Sequence, residues 1–156
     1  MPLLIIRSIF GLGLEFGSSA SLKKIKCLFW LACHNLDPIL SLLHHRNLKP
    51  STFCNRCRVD EETFLHWVRD CYHSKNLWLN LWLHLSRFFS AQHRCTWLRI
   101  GISGSQINLF AASIWGTWRN CNATCFANET TALYRLSLAA RFLSETIYFL
   151  LFQQHI

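Results

Sequence analysis

A chain of 156 residues that is 51% hydrophobic can bury one sizeable core, and with only six Gly and three Pro it is not built of many short strands and turns. Sixteen Lys and Arg against eight Asp and Glu leave a formal charge of +8, which favours polyanionic partners, nucleic acid before membrane. Eight Cys would suit a disulfide-stapled exported domain only behind a signal peptide; the first apolar run has no basic lead and is broken by Arg7 and Glu15, so a nuclear or cytoplasmic location is expected and secretion is not.

Residues 1–20 read as an uncertain leader, unlike the rest in composition. From Leu22 the apolar residues recur at helical spacing: Ile25, Leu28, Phe29 and Ala32 share one face, with Lys23, Lys24 and Lys26 on the other. Cys27 and Cys33 on this helix are expected to be buried thiols. Asp37-Pro38 reads as an N-cap followed by proline at the first helical position, opening a short helix that Asn47 can end in a left-handed conformation.

The next segment carries the chemistry. Cys54 and Cys57 form a CxxC pair; eight residues separate Cys57 from His66, and four separate His66 from Cys71. Three thiolates and one imidazole at this spacing suit a tetrahedral Zn²⁺, and a site closed by four protein ligands is structural, not catalytic. A redox CxxC would open a helix after a strand in a βαβ unit, and no such pattern surrounds Cys54. Three deprotonated Cys leave the site at net −1, so Arg56, Arg58 and Arg69 are reasonable electrostatic neighbours. Glu61, Glu62 and Thr63 begin a helix that carries His66. On a continuous α-helix Cys71 would be rotated ~140° from His66, so the motif requires the helix to end or bend near Asp70.

A further helix is expected over 73–89, with Leu77, Trp78, Leu81, Trp82 and Leu85 on its apolar side. Gly101 to Ser105 reads as a flexible joint, followed by helices over about 106–119 and 130–153. Arg135, Arg141 and Glu145 interrupt the last apolar stretch, which argues against a membrane span. Cys121 and Cys125 stand at i, i+4 without a second pair and are not expected to bind metal; the histidines other than His66 lie in no ligand spacing. The fold class is therefore all-α, a small helical domain with a Cys3His zinc knuckle.

In order along the chain, Lys24 to Lys26, Phe29, Trp30, His34, Asn35, His45, Arg46, Cys54, Cys57, Glu62, Thr63, His66, Cys71 and Trp78 form a pattern. It resembles the zinc-binding domain that follows the polymerase in plant non-LTR retrotransposon reverse transcriptases. The resemblance implies a zinc-binding domain over 21–88. It further implies that the helical Trp-rich tail, 89–156, is similar to the region leading toward an RNase H domain.

Polymerase and RNase H sites both need clustered carboxylates for their metal ions. The acids here are Glu15, Asp37, Asp60, Glu61, Glu62, Asp70, Glu129 and Glu145, with no adjacent Asp pair and only two beyond Cys71. The sequence thus points to a non-catalytic, zinc-stabilised module. Its expected partner is RNA or DNA, with no small-molecule substrate. Lys23, Lys24, Lys26, Arg46, Lys49, Arg56 and Arg58 surround the knuckle in sequence and are the phosphate-contact candidates, with Trp67 or Tyr72 as a base-stacking platform. The second reading is a structural or protein-interaction remnant of a truncated retroelement, with the aromatics after Phe88 as its interface.

Overall fold

The computed structural model describes residues 20–36, 40–83, 87–127 and 132–153. Residues 1–19 of the leader, the Asp37-Pro38 cap and Leu85 lie outside them; Ala20 already belongs to the first helix. Helix α1 spans Ala20–Cys33, α2 Leu40–His45, α3 Tyr72–Asn80, α4 Arg94–Ser103, α5 Ile107–Ala127 and α6 Leu133–Gln153, and a π-helical turn covers His66–Asp70. Among the described residues the only extended pairing is one antiparallel bridge between Phe53 and Glu61. The all-α expectation holds.

Three helices stop in the same way. At the end of α1 the Leu36 N–H reaches Leu31 O at 2.9 Å while Asn35 has φ 55°. After α2 the Leu48 N–H reaches Leu43 O at 2.8 Å with Asn47 at φ 56°. After α3 the Leu83 N–H reaches Trp78 O at 3.2 Å with Trp82 at φ 59°. Each is a Schellman arrangement, in which one left-handed residue lets the next amide satisfy an orphan carbonyl. Asn tolerates that conformation and Asn47 was readable from sequence. Trp82 is not such a signal, and its cap ends α3 at Asn80, far short of residue 89. Trp82 then faces outward, 77% exposed, instead of joining the apolar side with the buried Leu77, Trp78 and Leu81.

The core runs without a break from Ile25 to Ile147. Its centre is four rings, Trp78, Phe88, Trp97 and Phe110, in mutual contact at centroid distances from 5.0 to 6.3 Å. Most of the pairs are edge-on or tilted, the geometry that aromatic quadrupoles favour. Ile25, Leu28, Phe29 and Ala32 bury the expected face of α1, and Phe29 meets Phe110 at 6.3 Å. Cys27, on the opposite side of that helix, is exposed, which corrects the expectation of a buried thiol. Cys33 is buried, and burial pushes its thiol up to about 11. Helix α5 is central, packing on α1, α4, α6 and the π turn. Residues Asn108 and Leu109 at its start share a cleft with Ser144 and Tyr148 late in α6, so the two helices run antiparallel.

Gly101 is part of α4 and buried, not a joint; the turn follows it at Gly104–Gln106. A Cβ at Gly101 would overlap the Phe110 ring, whereas one at Gly116 would meet nothing within 4 Å. Gly101→Ala is therefore expected to destabilise the fold by about 1–3 kcal/mol through overpacking. Gly116→Ala should be neutral or stabilising by up to ~1 kcal/mol. Urea unfolding of both variants checks the pair.

Candidate metal centre

Cys54 and Cys57 sit on a knuckle closed by backbone hydrogen bonds. The Glu62 N–H donates to Thr52 O at 2.8 Å, Cys54 N–H to Asp60 O at 2.9 Å and Arg58 N–H to Cys54 O at 2.8 Å. Arg58 occupies the left-handed region at φ 58°, where the chain doubles back. The Val59 N–H lies 3.5 Å from Cys57 Sγ, and the backbone amides of Cys57 and Arg56 donate to the Cys54 sulfur. These donors disperse thiolate charge without a side chain.

The other two members of the cluster come from the π turn, which carries His66, and from Cys71 directly after it. Cys71 N–H donates to His66 O at 2.8 Å, the five-residue bond of a π-helix. Wider winding turns the chain less per residue than an α-helix does, so Cys71 returns toward the side on which His66 lies. Cys71 itself leaves helical geometry at φ −53°, ψ 132°. The helix end required near Asp70 is thus present, and the π winding supplies the rest of the correction.

The wide turn frees carbonyls that side chains then take up. Trp67 O accepts from Ser74 Oγ at 2.5 Å and from the Arg56 guanidinium, and Val68 O accepts from Trp78 Nε1 at 2.6 Å. Arg56 also donates to Ser74 Oγ at 3.0 Å, and His73 Nε2 lies 3.3 Å from Arg56 O. Arg69 is 5% exposed. It chelates Asp70 at 2.5 and 2.9 Å and donates to Ala91 O at 2.5 Å, tying the turn to the segment before α4.

All four ligand atoms lie within 4.8 Å of one another. Cys54 Sγ and Cys71 Sγ are 4.0 Å apart, and Cys57 Sγ is 3.4 Å from His66 Nε2. A tetrahedral ion with thiolate bonds of about 2.3 Å holds its sulfurs about 3.8 Å apart and a sulfur–nitrogen pair about 3.6 Å apart. The donor set fits a zinc-sized ion. The hydrogen bond shared by the two sulfurs holds the Cys54 thiol far below its usual value, and the same bond, with burial, pushes Cys71 up. His66 is raised, chiefly by its hydrogen bond with Cys54. Each ligand must be free of its proton to bind, so protons and a metal ion compete for this cluster. Burial lowers His73, consistent with a neutral ring beside Arg56.

The arrangement is a small helical domain with a closed cluster of three Cys and one His. Residues 16–78, under half of the chain but including all four residues of the cluster and Trp78, match the protein family described as zinc-binding in reverse transcriptase. No curated protein and no solved structure matches the chain.

The seven basic positions singled out from sequence are not equivalent. Lys23, Lys24, Arg46 and Arg58 are exposed, and Lys26 and Lys49 are half-buried. Arg56 turns inward to Ser74 and the Trp67 carbonyl, and its charge favours the Cys71 thiolate. Trp67 is fully buried, with its ring 5.6 Å from both Phe64 and Trp118, so it cannot be the stacking platform. Tyr72 is exposed and lies over His73 at 3.9 Å. Sequence reasoning missed Ser74 and His73 as supports of the cluster, since no ligand spacing marks either one.

Cys57→Ser should remove most metal binding and much of the helical ellipticity. Metal of this kind contributes on the order of 10 kcal/mol, comparable with the whole stability of an ordinary domain. Cys27→Ser, at an exposed thiol, should leave both unchanged. Arg58→Gly removes a left-handed non-glycine residue and is expected to stabilise the metal-loaded protein by about 0.5–1 kcal/mol in thermal unfolding.

Proposed function

We propose that this protein is a zinc-stabilised, non-catalytic module related to reverse transcriptases that contacts RNA or DNA. The observation that carries this reading is the closure of the cluster by four protein donors within 4.8 Å, which leaves no position for a reacting water or substrate. The ion is Zn²⁺, held by Cys54, Cys57, His66 and Cys71; it supplies folding energy and no chemistry. The scarcity of acids beyond Cys71 supports the absence of a polymerase or RNase H centre. We take the parent element to be a plant non-LTR retrotransposon, on the sequence pattern around the knuckle, and the location to be the nucleus or cytoplasm. No helix among the described residues is long and apolar enough to cross a membrane.

The net charge of +8 and the exposed Lys23, Lys24, Arg46 and Arg58 support contact with phosphates. Tyr72 is the remaining aromatic of the pair proposed to stack on a base. Lys26 and Lys49 keep their place in the phosphate set, while Arg56 serves the knuckle first. A second reading, a structural or protein-docking role, draws support from the large apolar side chains exposed on α6.

Fluorescence anisotropy with labelled single- and double-stranded oligonucleotides separates the two. The nucleic-acid reading expects affinity to fall steeply with salt, roughly in proportion to the number of phosphates neutralised. Lys23→Glu with Lys24→Glu should weaken binding at least tenfold while leaving the metal in place. Binding that is absent, or indifferent to salt, overturns this reading.

A further inference from the structure

Helix α6 is apolar on two opposite sides. Ser137, Ala140 and Ile147 are buried on the side that packs on α5. On the other side Leu138, Phe142 and Phe149 are 61%, 72% and 58% exposed. At ~100° per residue these three cluster within ~40° of one another, and their direction lies ~170° from that of Ala140 and Ile147. A helix at the surface of a monomer places polar residues there, and an apolar stripe on that face marks a surface meant to be covered.

The stripe has an internal order. Arg135, Leu138, Phe142, Glu145 and Phe149 follow one another at three, four, three and four residues, the seam spacing of a coiled coil. Glu145 is exposed, and the exposed Arg135 touches its neighbour Tyr134 at 3.2 Å through Nε.

We infer that α6 pairs with α6 of a second copy of this chain, antiparallel about a two-fold axis. In the register that fits, Leu138 lies opposite the second copy's Phe142, and Arg135 opposite its Glu145. A two-fold axis makes each of these contacts twice, so the centre is four apolar side chains flanked by two ion pairs. The charges select both direction and register. Parallel pairing sets Arg135 against Arg135 and Glu145 against Glu145. An antiparallel shift by one heptad sets Glu145 against Phe142 or Arg135 against Leu138, desolvating a charge on an apolar ring or side chain. This alignment pairs Arg135, Leu138, Phe142 and Glu145 with one another and leaves Phe149 beyond the paired layers; it is a self-complementary one, which is the property of an interface between copies. This pairing stands apart from the proposed nucleic-acid contact.

Sedimentation equilibrium of the full metal-loaded chain tests the pairing. The expected mass is twice the 18.3 kDa of the chain. Arg135→Glu and Glu145→Arg should each weaken the dimer by about tenfold or more, because each creates a like-charge pair twice. The double variant Arg135→Glu with Glu145→Arg restores complementarity and should recover dimerisation toward that of the unaltered chain. Both positions are exposed, so circular dichroism of the three variants should match the parent. A monomer at concentrations up to about 100 μM, well above a micromolar dissociation constant, overturns the inference. So does a double variant that dimerises no better than either single one.

Discussion

Everything in this fold depends on how His66 and Cys71 are brought onto one side of the chain. Five residues on an α-helix separate them by ~140°, which no tetrahedral site can span. The π turn resolves this by winding wider and then releasing Cys71 into extended geometry. That solution leaves the Trp67 and Val68 carbonyls to Ser74, Arg56 and Trp78. The Cys3His cluster and the first turns of α3 are thus one hydrogen-bonded unit.

The same turn couples the cluster to the rest of the protein. Trp67, next to His66 of the cluster, packs on Trp118 of α5, and Trp78 belongs to the four-ring centre with Phe88, Trp97 and Phe110. Arg69 fastens the turn to Phe88 and Ala91 through their carbonyls. A buried guanidinium is tolerable because Asp70 neutralises it and the carbonyls take its remaining donors. The segment that carries the Cys3His cluster and the helices that follow it therefore share rings as well as chain, and a disturbance at the sulfurs reaches α5 through direct contact. Leu138, Phe142 and Phe149, on the outer face of α6, stand outside this core.

Much of this was legible in the sequence, and the reasons differ by residue. The convergence of Cys54, Cys57, His66 and Cys71 was readable because CxxC, His and Cys spacing constrains geometry directly. The α1 face followed from a strong period at Ile25, Leu28, Phe29 and Ala32, and Asn47 followed from its tolerance of positive φ. The same period also placed Cys27 opposite that face, a clue that thiol hydrophobicity obscured. Other features carried no local signal. Trp82 ends α3 in a conformation that tryptophan seldom adopts, so its helix looked longer than it is. Gly101 looked like a hinge because composition cannot distinguish a flexible glycine from one that Phe110 presses against. Trp67 looked available for stacking because one of the rings that cover it, Trp118, is 51 residues away in sequence.

The central claim is that a bound zinc ion organises this core through the π turn. It is tested most directly by measuring the metal content of the purified protein and then removing the metal with a chelator while following far-ultraviolet ellipticity and tryptophan fluorescence together. The account requires about one zinc per chain, with loss of helicity and a red shift of the tryptophan emission on chelation, both reversed when zinc is returned. A protein that carries no metal, or that keeps its helicity and its buried tryptophan spectrum after chelation, would contradict it.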